Sequence, residues 1–201
     1  MAGWEPIEGE IPIDPSYLKD KSITTRAELN RCEAKNIQQP VLKYLAAKPT
    51  RASARFDLSW SLKLHGEMFG DVWEWAGDTR KFNTNVGVHW VQIFEQLYML
   101  FGDLEYWREH DTYPLLEQAV RLHHRAVQIH PFPNGNGRWS RMLANIWLKQ
   151  HDHPITIWPP ETSATGMESV IRAEYLAAIK GADGGKIGPL LAIHQRFTAS
   201  P

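Results

Sequence analysis

Apolar side chains along most of this chain recur every third or fourth residue, the spacing that lines one face of an α-helix. Phe56, Leu58, Trp60, Leu62, Leu64, Met68 and Phe69 carry a mainly helical pattern that closes at Gly70. Ile93, Leu97, Leu100, Leu104 and Trp107 predict a helix from Gln92 to Glu109. Leu115, Ala119, Leu122, Ala126 and Ile129 form one stripe of a helix opened by Pro114. Further helices are predicted from Trp139 to Gln150, from Met167 to Lys180 with Gly181 as its stop, and from Pro189 to Phe197. Nearer the N-terminus, Thr25-Arg26-Ala27-Glu28 has the form of a capping box. It opens a helix to about Gln39, which Pro40 should end because proline lacks the N–H that the next turn needs. A short helical stretch over 41–47 follows. Residues 78–90 break the pattern: Thr79, Phe82, Thr84, Val86, Val88 and Trp90 alternate around Asn85 and Gly87, which predicts a short β-hairpin or extended flap. Ile155 to Pro160 reads as extended. The fold class is therefore all-α, with one small β flap.

Composition sets bounds on this picture. A chain of 201 residues suits one domain, or one domain with an arm. Residues 1–22, with Pro6, Pro12 and Pro15, read as an irregular arm, and Lys48-Pro49-Thr50-Arg51 is the best linker candidate. Nine tryptophans are many for this length, and most should be core residues. The net charge of −1 supplies no basic field for nucleic acid. No apolar run reaches the ~20 residues of a membrane span. The N-terminal segment is acidic and Pro-rich rather than signal-like. The single Cys32 excludes an internal disulfide and fits a reducing, cytoplasmic setting.

The chemistry concentrates in His130-Pro131-Phe132-Pro133-Asn134-Gly135-Asn136-Gly137-Arg138 and in Arg141, one turn on. Gly135 and Gly137 let a backbone curve tightly and approach a ligand. A helix beginning near Gly137 presents unpaired N–H groups and the positive end of its dipole to an anion. Asn136 adds an amide, and the forks of Arg138 and Arg141 match phosphate oxygens. His130 ends the preceding helix, where a neutral imidazole can take a proton. Phe132 is the apolar anchor of the turn. The combination suits transfer of a phosphate-containing group to a hydroxyl.

These residues resemble the signature of the Fic/Doc family, whose helical fold is called Fido: His130, Phe132, Gly135, Asn136, Gly137, Arg138 and Arg141 all match. Trp73-Glu74-Trp75-Ala76-Gly77 with Arg80, Arg172 to Tyr175, and Gly188-Pro189-Leu190-Leu191 extend the likeness over about 57–196, leaving 1–50 as an N-terminal arm. Ile23 to Asn30 and Asn134 look most like the bacterial subgroup called mobile mystery protein B. The resemblance implies a protein adenylyltransferase that moves AMP from ATP, its co-substrate, to a Ser, Thr or Tyr hydroxyl of a target protein. His130 would be the general base. Gly135, Asn136 and Gly137 would hold the α- and β-phosphates, Arg138 the outer phosphates and Arg141 the γ-phosphate. Thr84, Asn85, Val86, Gly87 and Val88 would form the flap that aligns the target as an added strand, and Tyr175 would border the base pocket or take a place in the core.

The family's metal-binding acid is Asn134 here. A carboxamide oxygen can coordinate Mg²⁺ but brings no charge, so weaker metal binding or lower activity is expected. A silent nucleotide-binding regulatory module and a Doc-like protein kinase stand as alternatives. Doc-type relatives also carry Asn, but have Lys in place of Gly137. Many relatives are restrained by a helix whose glutamate pairs with the second motif arginine. The helix over about 25–39 offers Glu28, already used as a cap, and Glu33, which is the favoured partner of Arg141. A small antitoxin partner or a homo-oligomer is compatible with the resemblance. His123-His124 and His151-Asp152-His153 are read as structural rather than as a zinc site, with one of the paired histidines packed and the other facing water.

Overall fold

The computed structural model describes residues 13–159 and 170–199. The expectations for residues 1–12, Met167 and Pro160 lie outside the described residues. Among the described residues, seven α-helices carry the fold: α1 (Arg26–Leu45), α2 (Leu58–Phe69), α3 (Ile93–Glu109), α4 (Leu115–Ile129), α5 (Asn136–Gln150), α6 (Val170–Asp183) and α7 (Gly188–Arg196). The centre is α5. Its apolar residues Leu143, Ala144, Ile146 and Leu148 are wholly buried, as is Trp139. Helix α4 packs along it, α3 covers α4 from one side, and α6 and α7 cover it from the other. Helix α1 lies across α2 and touches α5. Phe132, Trp139, Leu122, Leu97 and Leu64 belong to the main core, while Val120, Tyr175, Ile179, Leu190 and Ile193 form a second cluster under α6 and α7. Of the tryptophans, Trp60, Trp73, Trp139 and Trp147 are buried, as expected, while Trp90 is exposed.

The Thr25 capping box forms as predicted: Thr25 accepts from the Glu28 N–H at 3.2 Å, and the Glu28 carboxylate accepts from the Thr25 N–H at 3.0 Å. Three boundaries depart from the sequence reading. Pro40 does not end α1 but sits inside it and is buried. Its missing N–H costs one helical hydrogen bond, while packing of α1 on α2 fixes the helix on both sides of it. Asn36, one turn earlier, contributes: its Nδ2 donates to Glu67 O at 3.1 Å and its Oδ1 accepts from Asp71 N at 2.8 Å. Gly181 likewise lies within α6, which runs on to Asp183. Helix α5 begins at Asn136, earlier than the apolar stripe suggests, because the turn before it is tertiary rather than periodic in origin.

The flap is a correction of another kind. Residues 78–89 form turns and irregular backbone with no β ladder, and the only β pairing among the described residues is two isolated bridges, Leu18 to Trp73 and Thr156 to Thr198. The reason is that the carbonyls which would pair across a hairpin are taken elsewhere. Phe82 O and Val88 O both accept from the guanidinium of Arg80, and Val86 O accepts from the Thr84 hydroxyl.

Candidate active site

His130 caps α4 in the left-handed conformation, φ 53° and ψ 59°. A β-carbon is uncomfortable there, at a cost of about 1–2 kcal/mol, so the position must be held. Arg80 holds it: its Nε donates to His130 O at 2.7 Å, and its backbone N–H donates to Pro131 O at 2.9 Å. The ring is oriented by Val127, whose carbonyl lies 3.2 Å from Nδ1. A carbonyl only accepts, so Nδ1 carries the proton and Nε2 keeps its lone pair. Burial lowers the His130 pKa to about 4; the Val127 bond works against that shift, and the nearby Arg80 charge adds a smaller push downward. The imidazole is therefore neutral near pH 7, the state a base requires.

The loop after His130 is fixed from three sides. Asn136 accepts the Phe132 N–H and donates to Phe132 O, each at 2.9 Å, so its buried side chain closes the loop on itself. The Asn136 side chain thus shapes the cradle, and its backbone N–H stands in the first turn of α5, where a helix leaves amides unpaired. His65, wholly buried in α2, accepts the Gly77 N–H at Nδ1 and so carries its proton on Nε2, which donates to Asn134 O at 3.1 Å. Its ring stacks on Phe132 with centroids 3.5 Å apart. Gly135 has φ 80°, and a Cβ there would come within 2.6 Å of the Phe69 ring. Only glycine fits. A Cβ on Gly137, by contrast, would meet no described atom within 4 Å, so the first turn of α5 is open to a ligand.

The two arginines differ. Arg141 is buried, its Nε donates to Gly137 O at 3.1 Å, and its guanidinium lies 5.5 Å from the Trp158 ring and 5.8 Å from the Tyr175 ring. Arg138 is partly exposed and lies over Phe69. Its Nη1 is 2.5 Å from Glu33 Oε2, and Glu33 is 3 % exposed, with Oε1 accepting from Trp73 Nε1 at 2.7 Å. Glu33 thus reaches the motif as expected but meets the first arginine, not Arg141. Arg141 is instead buried beside the Trp158 and Tyr175 rings. Glu28 accepts from Thr24 and Thr25 at the helix cap.

Tyr175 sits in the second core cluster, with its hydroxyl 3.0 Å from His123 Nε2, while His123 Nδ1 is 2.9 Å from His194. Neither of the paired histidines faces water: His124 is also buried and lies 2.8 Å from Asp183. No group of three or more potential metal ligands occurs among the described residues. Asn134, the position matched to the metal, turns its Oδ1 to the Gly135 N–H at 2.6 Å. A neutral oxygen already engaged by an amide is a poor fit for Mg²⁺, which favours carboxylate and phosphate oxygens. His65 and the Arg80 contacts were not legible as site features: in sequence His65 is one polar residue on a helix, and its pairing with Asn134 spans 69 positions.

Residues 55–148 match the Fic/DOC family. The protein adenylyltransferase Fic of Drosophila grimshawi is 30% identical over 135 residues, 65% of this chain and 26% of that protein. The protein adenylyltransferase fic-1 of Caenorhabditis elegans is 36% identical over 76 residues, 38% of this chain and 13% of that one. The chain thus spans about a quarter or less of the length of these curated relatives. Among solved structures, a Fic-1 fragment from C. elegans superposes with a TM-score of 0.64 at 23% identity, covering 87% of this chain and 50% of that one. The BepC effector of Bartonella tribocorum, solved with AMPPNP bound, gives 0.67 at 17% identity, covering 97% and 96%. No described helix is long and apolar enough to cross a membrane. The histidine held at the end of α4, the glycine cradle and the two arginines of α5 therefore lie in a domain of the Fic/DOC family, which this chain carries over residues 55–148.

Proposed function

We propose that the chain transfers AMP from ATP to a hydroxyl side chain of a target protein, in the cytoplasm. One observation carries the reading: the Val127 carbonyl fixes the proton on His130 Nδ1 and leaves Nε2 as an acceptor, one short loop away from the open N-terminus of α5. A target hydroxyl gives its proton to Nε2 as its oxygen bonds to the α-phosphorus, and the bond from that phosphorus to the β-phosphate oxygen breaks, releasing pyrophosphate. The α5 amides from Asn136 to Arg138 stabilise charge on the phosphate oxygens, and Arg138 and Arg141 carry the departing pyrophosphate. Catalysis is then mainly positioning and preorganised electrostatics. No step is routed through a metal. A Mg²⁺ ion would be held by the phosphates, since Asn134 offers only a neutral oxygen already engaged by the Gly135 N–H.

The same site supports restraint by α1. While Glu33 neutralises Arg138, the outer phosphates have lost one of their two cations. Placement in the mobile mystery protein B subgroup rests only on the N-terminal segment and Asn134. The curated relatives are named adenylyltransferases, which favours this reading over a kinase. ATP labelled at the α- or the γ-phosphate decides between them: label from the α position is expected on protein, label from γ alone would show a kinase, and nucleotide binding without label would show a regulatory module. His130→Ala should lower transfer by about 10²–10⁴-fold while ATP still binds. Transfer at the wild-type rate would remove His130 from the mechanism.

A further inference from the structure

Arg80 is 1 % exposed and has no acidic partner among the described residues. A buried guanidinium with only carbonyl partners is a costly arrangement, and the partners are not a random set. Nη1 donates to Phe82 O at 2.8 Å and Nη2 to Val88 O, one carbonyl from each arm of the flap. Nε donates to His130 O at 2.7 Å, and Nη2 also lies 3.4 Å from Ile129 O. The planar fork of arginine is what allows one side chain to bind both arms and the helix end together. A second contact closes the arrangement without Arg80: the Val88 N–H donates to Ile129 O at 3.3 Å. At the flap tip, Gly87 has φ 92°, and a Cβ there would lie 2.6 Å from the His130 Cβ. The flap therefore rests directly on the base, at a distance only glycine permits.

We propose that Arg80 is a positioning residue that locks the flap to the left-handed turn at His130, so that the backbone which receives the target and the base which takes its proton move as one body. The inference rests on the adenylyl-transfer reading, and it does not extend to the phosphate cradle, which Arg80 does not touch. In the locked state a target segment laid along the flap is brought to a fixed height over His130 Nε2. With the lock loosened, each half keeps its own chemistry but loses its register with the other. Proximity effects of this kind are sensitive to shifts of about 1 Å.

Two variants test the proposal on the full chain. Arg80→Lys keeps a cation but cannot span both flap arms and the helix end. Gly87→Ala keeps the arginine itself but would set a Cβ 2.6 Å from the His130 Cβ and 2.8 Å from Arg80 Nη2, and so lifts the flap tip from both. In both, hydrogen exchange at the Val88 amide should accelerate at least tenfold. The single-turnover rate of auto-modification at saturating ATP should fall at least tenfold, while the dissociation constant for ATP stays within about twofold of wild type. Unchanged exchange at Val88 in both variants would overturn the proposal. So would an ATP affinity that falls in step with the rate, since that pattern marks general structural damage. If the wild-type chain transfers no nucleotide, the adenylyl-transfer reading fails by itself, and the exchange measurement still decides whether Arg80 locks the flap.

Discussion

The loop from His130 to Gly135 and the ion pair between Glu33 and Arg138 lie side by side, yet they are held in opposite ways. The loop is fixed redundantly. Arg80 and Val127 set His130, His65 holds Asn134, the Asn136 side chain closes on Phe132, and the Phe69 ring admits only glycine at 135. Removing any one bond leaves the others. Glu33 meets Arg138 through one carboxylate oxygen, from a helix outside the matched family region, and Arg138 is partly exposed. The contrast is the one that the proposed division into machinery and restraint requires. What performs chemistry must keep its geometry through each turnover, whereas what restrains must be removable at a cost of a few kcal/mol.

Acid should break the machinery most severely. Burial keeps His65 and His194 neutral, with pKa values lowered to about 3, and His130 to about 4; His123 is also held well below its usual value, by burial and by His194. In the unfolded chain each titrates near 6.5, so below that pH the unfolded state binds more protons. Stability is full above pH 6.5 and falls toward pH 4, by about 1.4 kcal/mol per pH unit for each histidine fully protonated only when unfolded. Urea unfolding followed between pH 7.5 and 4.5 checks this. A flat midpoint over that range would show that the loop is not held by neutral histidines.

Next in size is Gly135→Ala. The strain of a left-handed non-glycine residue and the overlap with Phe69 should together cost about 2–4 kcal/mol, read as a lowered urea midpoint at unchanged slope. Loss of transfer should accompany it, because the cradle moves. A variant as stable as wild type would mean that the loop is far less constrained than its contacts indicate.

Glu33→Gln tests the restraint. It keeps a hydrogen-bond acceptor for Trp73 but removes the negative charge that faces Arg138. Affinity for ATP and the rate of auto-modification should rise, by about 5–150-fold if the coupling has the usual 1–3 kcal/mol, with stability lowered by about 1 kcal/mol or less. Isothermal titration with ATP settles it: unchanged affinity would make the ion pair an ordinary structural contact. The smallest effect is expected from Asn134→Asp, which restores a charge where the cradle has a carboxamide. The requirement for Mg²⁺ should sharpen and the apparent Mg²⁺ affinity rise a few-fold, at little cost in stability. A titration of transfer rate against Mg²⁺ that superimposes on wild type would place the ion elsewhere.

The helices and the cradle were legible because their signals are local. A stripe such as Leu115, Ala119, Leu122, Ala126 and Ile129 needs only its own spacing to declare a buried face, and Thr25 with Glu28 closes its cap within one turn. His130, the glycines and the arginines of α5 fall within twelve positions, so their conjunction can be read directly. Where packing overrode local preference, the reading failed: Pro40 and Gly181 sit inside helices, and alternation around Asn85 produced no ladder because Arg80 took the carbonyls.

By itself, then, the sequence determined the helical class, and it placed the candidate site and the residue types proposed for it. Tertiary structure decided how the site is held. Which arginine Glu33 meets, what closes the loop at Asn134 and what ties the flap to the end of α4 all depend on partners distant in the chain, such as Trp73, His65 and His130. Such contacts carry no periodic signal. They arise only when the core has brought α1, α2, α4 and α5 together, because hydrogen bonds and ion pairs act over a few ångströms while the sequence records only order along the chain.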